Sequence, residues 1–138
     1  MDPPTEPTPN ASSKPAYQQF LIAVAFQILA PWVPLFIEAV VNGGTISAGS
    51  LTIVAALFCV AIAVSSAFVA FWAYASLISV VFSAFYGIIL IDPGRIPLAA
   101  DAAIWTMVIV GLAHGVERYW RHAVCGHKYL AFHFSPID

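Results

Sequence analysis

Charged side chains are scarce in this sequence. The chain has 138 residues, of which 9% are Asp, Glu, Lys or Arg. Soluble domains carry roughly 25% of such residues, because they need a polar shell. The composition therefore argues against a soluble globular domain. With five Lys or Arg and a net charge of −2 there is also no basic patch, and we expect no nucleic-acid partner.

Cysteines and recognisable reaction motifs are also few. Cys59 lies within an apolar run and Cys125 near the C-terminus, so no disulfide framework is expected. His122, Cys125, His127 and His133 lack the paired short spacing of zinc ligands. The sequence has no nucleotide-binding loop, no catalytic-triad pattern and no HExxH motif. We expect no metal, no cofactor and no enzymatic activity.

Apolar residues make up 61% of the chain, and they follow a proline-rich start. Residues 1–16 contain five prolines with Ser, Thr and Asn between them, which predicts a disordered N-terminal tail. The first apolar segment covers residues 17–41 and exceeds the roughly 20 residues that a membrane-spanning helix needs. Pro31 and Pro34 predict a kink near its middle.

Residues 51–91 form an uncharged run of 41 residues. One helix of that length would measure about 61 Å, twice the bilayer core of about 30 Å, so the run predicts two helices. Trp72 and Tyr74 favour a turn at residues 71–75, since such aromatics prefer the headgroup level. A turn at Ser65 and Ser66 is the alternative. The favoured turn gives helices at about 50–70 and 74–91.

The strongest turn signal follows at Asp92, where Pro93 and Gly94 precede a last apolar segment at about 98–119. The sequence thus predicts an all-α fold, an integral membrane four-helix bundle over residues 17–121, with a C-terminal tail at 122–138. The lipid bilayer is its first expected partner.

Basic residues near the ends of the helices predict the orientation. Lys14, Arg118, Arg121 and Lys128 fall on one side of a four-helix arrangement, and Arg95 falls on the other. Cytoplasmic flanks are richer in Lys and Arg. We therefore expect both termini, including the tail at 122–138, in the cytoplasm, and a location in a bacterial inner membrane.

The last helix carries the main candidate polar site within the membrane. His114, Glu117, Arg118 and Arg121 follow i, i+3, i+4, i+7 spacing and share one face, where Glu117 and Arg121 could form a salt pair. Polar groups in a bilayer are costly and often functional. The two arginines could instead extend to water at the membrane edge. For His114, an interhelical hydrogen bond and a role in a site are equally open.

Glu38 is the only charged residue between Pro15 and Asp92 and completes the candidate site. It lies about 12 Å from the middle of its helix, so an interfacial glutamate is the simpler reading. Glu38 and His114 should lie about 20 Å apart along the membrane normal, which rules out a pair within one chain. Gln27 could form a hydrogen bond across helices.

Small residues recur every fourth position on the predicted helices. Ser79, Ser83 and Gly87 form one row, and Gly111 and Gly115 form a GxxxG motif. Such rows let helix backbones approach closely in lipid, so we interpret these five residues as helix-packing positions.

Two functions remain open from the sequence. The first is a structural or regulatory subunit that packs with itself, as a homo-oligomer, or with a larger membrane-protein partner. The second is an oligomeric pore or small transporter, including a holin-like permeabiliser or a toxin or immunity protein. The small-residue rows favour the first, and the polar residues Glu38 and His114 favour the second.

Overall fold

The computed structural model describes residues 16–125, and every regular element in that range is helical. It contains four helices that are long and apolar enough to cross a membrane, which confirms the predicted number and type of elements. The predicted disordered tail, apart from residue 16, and residues 126–138 of the predicted C-terminal tail lie outside the described residues.

Helix 1 covers residues 16–41 and changes its winding in the middle. It is α-helical over Ala16–Ala23, π-helical over Val24–Leu29, 3-10 helical over Ala30–Trp32 and α-helical again over Val33–Val41. Proline cannot donate a backbone hydrogen bond, and its ring crowds the carbonyl four residues earlier. Pro31 and Pro34 therefore account for the irregular turns.

The loop after helix 1 depends on glycine and on a serine cap. Gly43 and Gly44 have φ angles of 66° and 96°, which side chains of L-residues rarely adopt. Ser47 then accepts a hydrogen bond from the backbone of Ser50 at 3.0 Å. This cap satisfies a free N–H group at the start of helix 2, Ala48–Ser65.

The turn between helices 2 and 3 lies earlier than the aromatic residues predicted. Helix 2 ends at Ser65 and helix 3 covers Val69–Ile91, so residues 71–75 are helical and the prediction of a turn there was wrong. Ser66 has an extended backbone, and its hydroxyl accepts the N–H of Phe68 at 3.1 Å. Local serine bonds of this kind compete with helix and mark turns.

Helix 4 covers Ala99–Arg118 and continues as a π-helix over Tyr119–Val124. The rings of Phe20, on helix 1, and Tyr119 meet edge to face with centroids 5.6 Å apart. The start of helix 1 and the end of helix 4 therefore lie at the same end of the bundle, as four alternating helices require.

Helix 2 is the central element of the bundle. It packs against helices 1, 3 and 4, and it contributes more of the buried apolar residues than any other helix. Phe58, Cys59 and Ile62 have no exposed surface, and Met107 of helix 4 is 1% exposed. By contrast, many large apolar side chains on the outer faces of the helices are exposed. This distribution fits a bundle whose surroundings are apolar.

Candidate functional site

Six polar side chains meet at the end of the bundle where helix 2 turns into helix 3. We call them the polar cluster: Gln27, Ser65, Ser66, His114, Glu117 and Arg118. They come from helix 1, the end of helix 2, the turn and helix 4, and the contacts between them join residues up to 87 positions apart in the sequence. Hydrogen bonds in the cluster therefore tie distant parts of the chain together.

His114 lies at the centre of the cluster and has no exposed surface. Arg118 donates through Nε to Nε2 of the imidazole at 3.1 Å, and Nδ1 lies 3.1 Å from Oε2 of Glu117. A guanidinium can only donate and a carboxylate can only accept. The ring therefore accepts at Nε2 and carries its proton on Nδ1, where it donates to Glu117.

Two neutral side chains also approach Nε2. Ser65 Oγ lies 3.2 Å away, and its hydroxyl donates to the Ile62 carbonyl at 3.1 Å. The structure places Oε1 of the Gln27 amide 3.0 Å from Nε2. Because amide oxygen and nitrogen exchange by a half-turn, turning this amide would present its NH2 group to an accepting Nε2. The imidazole thus connects helix 1 to helix 4 and to the end of helix 2.

Arg118 is almost completely buried, with 4% of its surface exposed. Besides His114, it donates through Nη2 to the backbone carbonyl of Ser65. That carbonyl belongs to the last turn of helix 2, whose final carbonyl groups have no partner within the helix. A cation at this position also interacts favourably with the negative end of the helix dipole. Arg118 therefore caps helix 2 from helix 4.

Glu117 holds the turn itself. Its carboxylate accepts the backbone N–H of Ala67 at 2.8 Å and the hydroxyl of Ser66 at 3.0 and 3.2 Å. With the bond from His114, both oxygens are occupied by donors of this chain, and 7% of the side chain is exposed. Hydrogen bonds to an ionised acceptor are about twice as strong as those between neutral groups. The turn between helices 2 and 3 is thus stabilised by a residue 50 positions later.

The altered winding of helix 1 surrounds Gln27. This residue lies in the π-helical turns and is buried, whereas the neighbouring Phe26 is 69% exposed. Pro31, four residues later, has no N–H to offer the Gln27 carbonyl. Single π-helical turns are frequent at functional sites because they redirect one side chain. The two prolines therefore account for the π-helical turns and, through them, for the inward placement of Gln27.

Arg121 does not form the ion pair with Glu117 that its spacing suggested. Among the described residues, no contact within ion-pair distance joins Arg121 to Glu117, whose close partner is the His114 ring, so the i, i+4 prediction was wrong. The π-helix that begins at Tyr119 explains the difference. A π-helix has more residues per turn than an α-helix, so the side chain four positions after Glu117 no longer lies above it.

Glu38 lies apart from the polar cluster, at the loop between helices 1 and 2. Its Oε1 accepts the backbone N–H of Ser47 at 3.0 Å. This bond stabilises the entry into helix 2. The structure therefore places Glu38 in a local loop contact and His114 in the cluster, and it does not bring the two together.

The small-residue rows separate into inner and outer positions. An added Cβ on Gly111 would lie 3.2 Å from Cζ of Phe58, and one on Gly115 would lie 3.5 Å from Cδ1 of Ile28. These two glycines therefore serve contacts within the chain. Ser79 is buried as well, whereas Ser83 is exposed and an added Cβ on Gly87 would have no neighbour within 4 Å.

The sequence indicates four of the six members of the cluster. His114, Glu117 and Arg118 follow from helical spacing, and Gln27 follows as an amide able to bond across helices. Ser65 and Ser66 appear in the sequence analysis only as an alternative turn. The adjacent Ser65 and Ser66 were themselves a signal, because serines within the uncharged run 51–91 favour a turn over a helix.

The polar groups of the cluster bond mainly to one another. The described residues contain no group of three or more His, Cys, Asp or Glu that could hold a metal ion. Such a network can hold helices together and fix their relative positions. Comparisons with protein-family models, curated proteins and solved structures found no match for this chain.

Proposed function

We propose that this chain is a small integral membrane protein that acts by helix packing, as a structural or regulatory subunit that associates with itself or with a larger membrane partner. The supporting observation is the inward closure of its polar groups. His114 and Arg118 are buried and bonded within the chain, and the outer faces of the helices are apolar. A pore would need polar groups along a lumen, and the cluster is occupied by its own bonds.

The proposed contact lies on helix 3 at Ser83 and Gly87. Both residues are exposed, and Gly87 leaves open space beside the backbone. The Ser83 hydroxyl donates to the Ser79 carbonyl at 2.9 Å, so no unsatisfied hydroxyl opposes an apolar neighbour. Small residues of this kind allow another helix to approach closely, which drives association in lipid.

Association can be measured by energy transfer between labelled copies in vesicles of defined protein density. We expect Gly87→Leu to weaken association about tenfold, since a large side chain separates the backbones. Ala61→Leu, at an exposed position of helix 2, is the matched control and should leave association unchanged. A wild-type chain that remains monomeric and that crosslinks to no partner in native membranes would contradict the proposal.

The proposed orientation places both termini in the cytoplasm of a bacterial cell, with the chain in the inner membrane. Four basic residues would then flank the cytoplasmic face and Arg95 the opposite face. Reporter tags at the two ends should both be inaccessible from outside the cell. Tags on opposite sides would contradict the four-helix arrangement.

The same vesicles distinguish packing from permeation. We expect no release of a trapped dye from vesicles that contain the wild-type chain, because the His114 imidazole is buried inside the helical bundle. Dye release that is lost in Glu38→Gln and His114→Ala would support the pore or transporter in place of the subunit.

A further inference from the structure

A groove of about 580 Å³ opens between the start of helix 3 and the end of helix 4. Four aromatic residues, Phe68, Phe71, Tyr74 and Trp120, line it together with Glu117. Sites for small molecules typically have volumes of about 300 to 1,000 Å³. The groove lies beside the turn at residues 66–68, so in a bilayer it faces the level of the lipid headgroups.

The charge at the groove has one sign. Among the residues that the structure describes, Glu117 is the only charged one in its lining. The nearby Arg118 points away, toward Ser65 and His114, and Arg121 is not part of the lining. The rings of Phe68, Tyr74 and Trp120 are each more than 60% exposed. Aromatic faces attract organic cations, and an adjacent carboxylate strengthens that attraction in apolar surroundings.

The hydrogen bonding of Glu117 selects the kind of cation. Its oxygens already accept from Ala67, Ser66 and His114, so few lone pairs remain for a donor. A substituted ammonium that lacks N–H groups needs no lone pair, because it interacts through charge and through ring faces. The binding chemistry is therefore that of an alkylated ammonium on an apolar body.

We propose that this groove binds the ammonium headgroup of a phospholipid, with the ammonium between the aromatic rings and Glu117. A lipid is the occupant because the groove opens sideways at headgroup level, where lipids are the surrounding solvent. A trimethylammonium headgroup should bind more tightly than an unsubstituted ethanolamine headgroup, and both more tightly than the anionic headgroup of phosphatidylglycerol, which has no ammonium. This binding is independent of self-association through helix 3.

Quenching of tryptophan fluorescence by brominated lipids tests the proposal on the full chain. In a variant with Trp120 as the only tryptophan, quenching compares brominated phosphatidylcholine with brominated phosphatidylglycerol in mixed vesicles. We expect a preference for phosphatidylcholine on the order of fivefold, as one cation–ring contact supplies. Glu117→Gln should reduce this preference, because the rings then hold the ammonium without the carboxylate.

A second groove in the same chain supplies the matched control. It lies between helices 1 and 4, has a similar volume of about 590 Å³ and is lined by Trp32, but its lining holds no charged residue. A variant with Trp32 as the only tryptophan should show no headgroup preference. If Glu117→Gln does not fold, Tyr74→Leu replaces it, since that ring is 68% exposed and its loss should also reduce the preference.

The proposal is overturned if the Trp120 variant shows no preference for phosphatidylcholine, or if Glu117→Gln and Tyr74→Leu, both folded by circular dichroism, keep the full preference. An equal preference at Trp32 would also overturn it, because the effect would then belong to the bilayer.

Discussion

The two ends of the bundle use a glutamate for the same task in different ways. Glu38 accepts the backbone N–H of Ser47, nine positions later, just before helix 2. Glu117 accepts the backbone N–H of Ala67, 50 positions earlier, just before helix 3. The first contact is local, whereas the second belongs to a network that includes the fully buried His114. One kind of hydrogen bond, from a backbone N–H to a glutamate, therefore shapes a loop at one end and helps to determine the tertiary arrangement at the other.

The largest effect is expected from Arg118→Leu at the buried end. This change removes the donors that serve His114 and the Ser65 carbonyl. Loss of a buried charged partner typically costs about 3–5 kcal/mol. We expect a decrease of about 3 kcal/mol in the free energy of unfolding, measured by titration with denaturing detergent in micelles. If Arg118→Leu were as stable as the wild type, the buried network would not determine the tertiary arrangement, and the contrast between the two ends would be wrong.

The next effect tests the close approach that brings helix 4 to the centre of the bundle. Gly111→Leu places a side chain where a single Cβ already comes within 3.2 Å of Phe58, which is fully buried. Overpacking a core costs about 1–3 kcal/mol, and we expect about 2 kcal/mol in the same titration. Gly87→Leu is the control and should not be destabilised, because its Cβ meets no atom within 4 Å.

A smaller effect is expected from Glu117→Gln. The amide retains one acceptor oxygen, but its NH2 group faces a donor, either the Ala67 N–H or His114 Nδ1. We expect a loss of about 1–2 kcal/mol and faster hydrogen exchange at the Ala67 amide. An unchanged exchange rate at Ala67 would show that the turn holds without helix 4.

The smallest effect is expected from Glu38→Gln at the exposed end. The amide can still accept from Ser47, and the carboxylate charge contributes little where water is close. Global unfolding should be unchanged, and hydrogen exchange should increase only at Ser47. Destabilisation comparable to that of Glu117→Gln would make the two ends equivalent.

The difference between the ends also explains what the sequence could predict. The four helices follow from apolar runs of sufficient length, and the face shared by His114, Glu117 and Arg118 follows from helical spacing. The turn at Ser66 was placed too late because Trp72 and Tyr74 gave a local signal, whereas the bond that stabilises Ser66 comes from Glu117. The pairing of Glu117 with Arg121 failed because the helix changes to π winding after Arg118. Local sequence patterns predicted the helices, whereas hydrogen bonds between residues far apart in the sequence determined where the turn between helices 2 and 3 lies.

The central claim is that the His114 ring accepts a hydrogen bond from Arg118 and donates one to Glu117. The position of the ring proton tests this claim most directly, because it depends on both of these neighbours. Nitrogen NMR of the chain labelled in its histidine rings, with His114→Gln used for assignment, reports which ring nitrogen carries the proton. We predict a neutral ring with the proton on Nδ1 and an accepting Nε2. A proton on Nε2 would contradict the account, since Arg118 could then not donate to it.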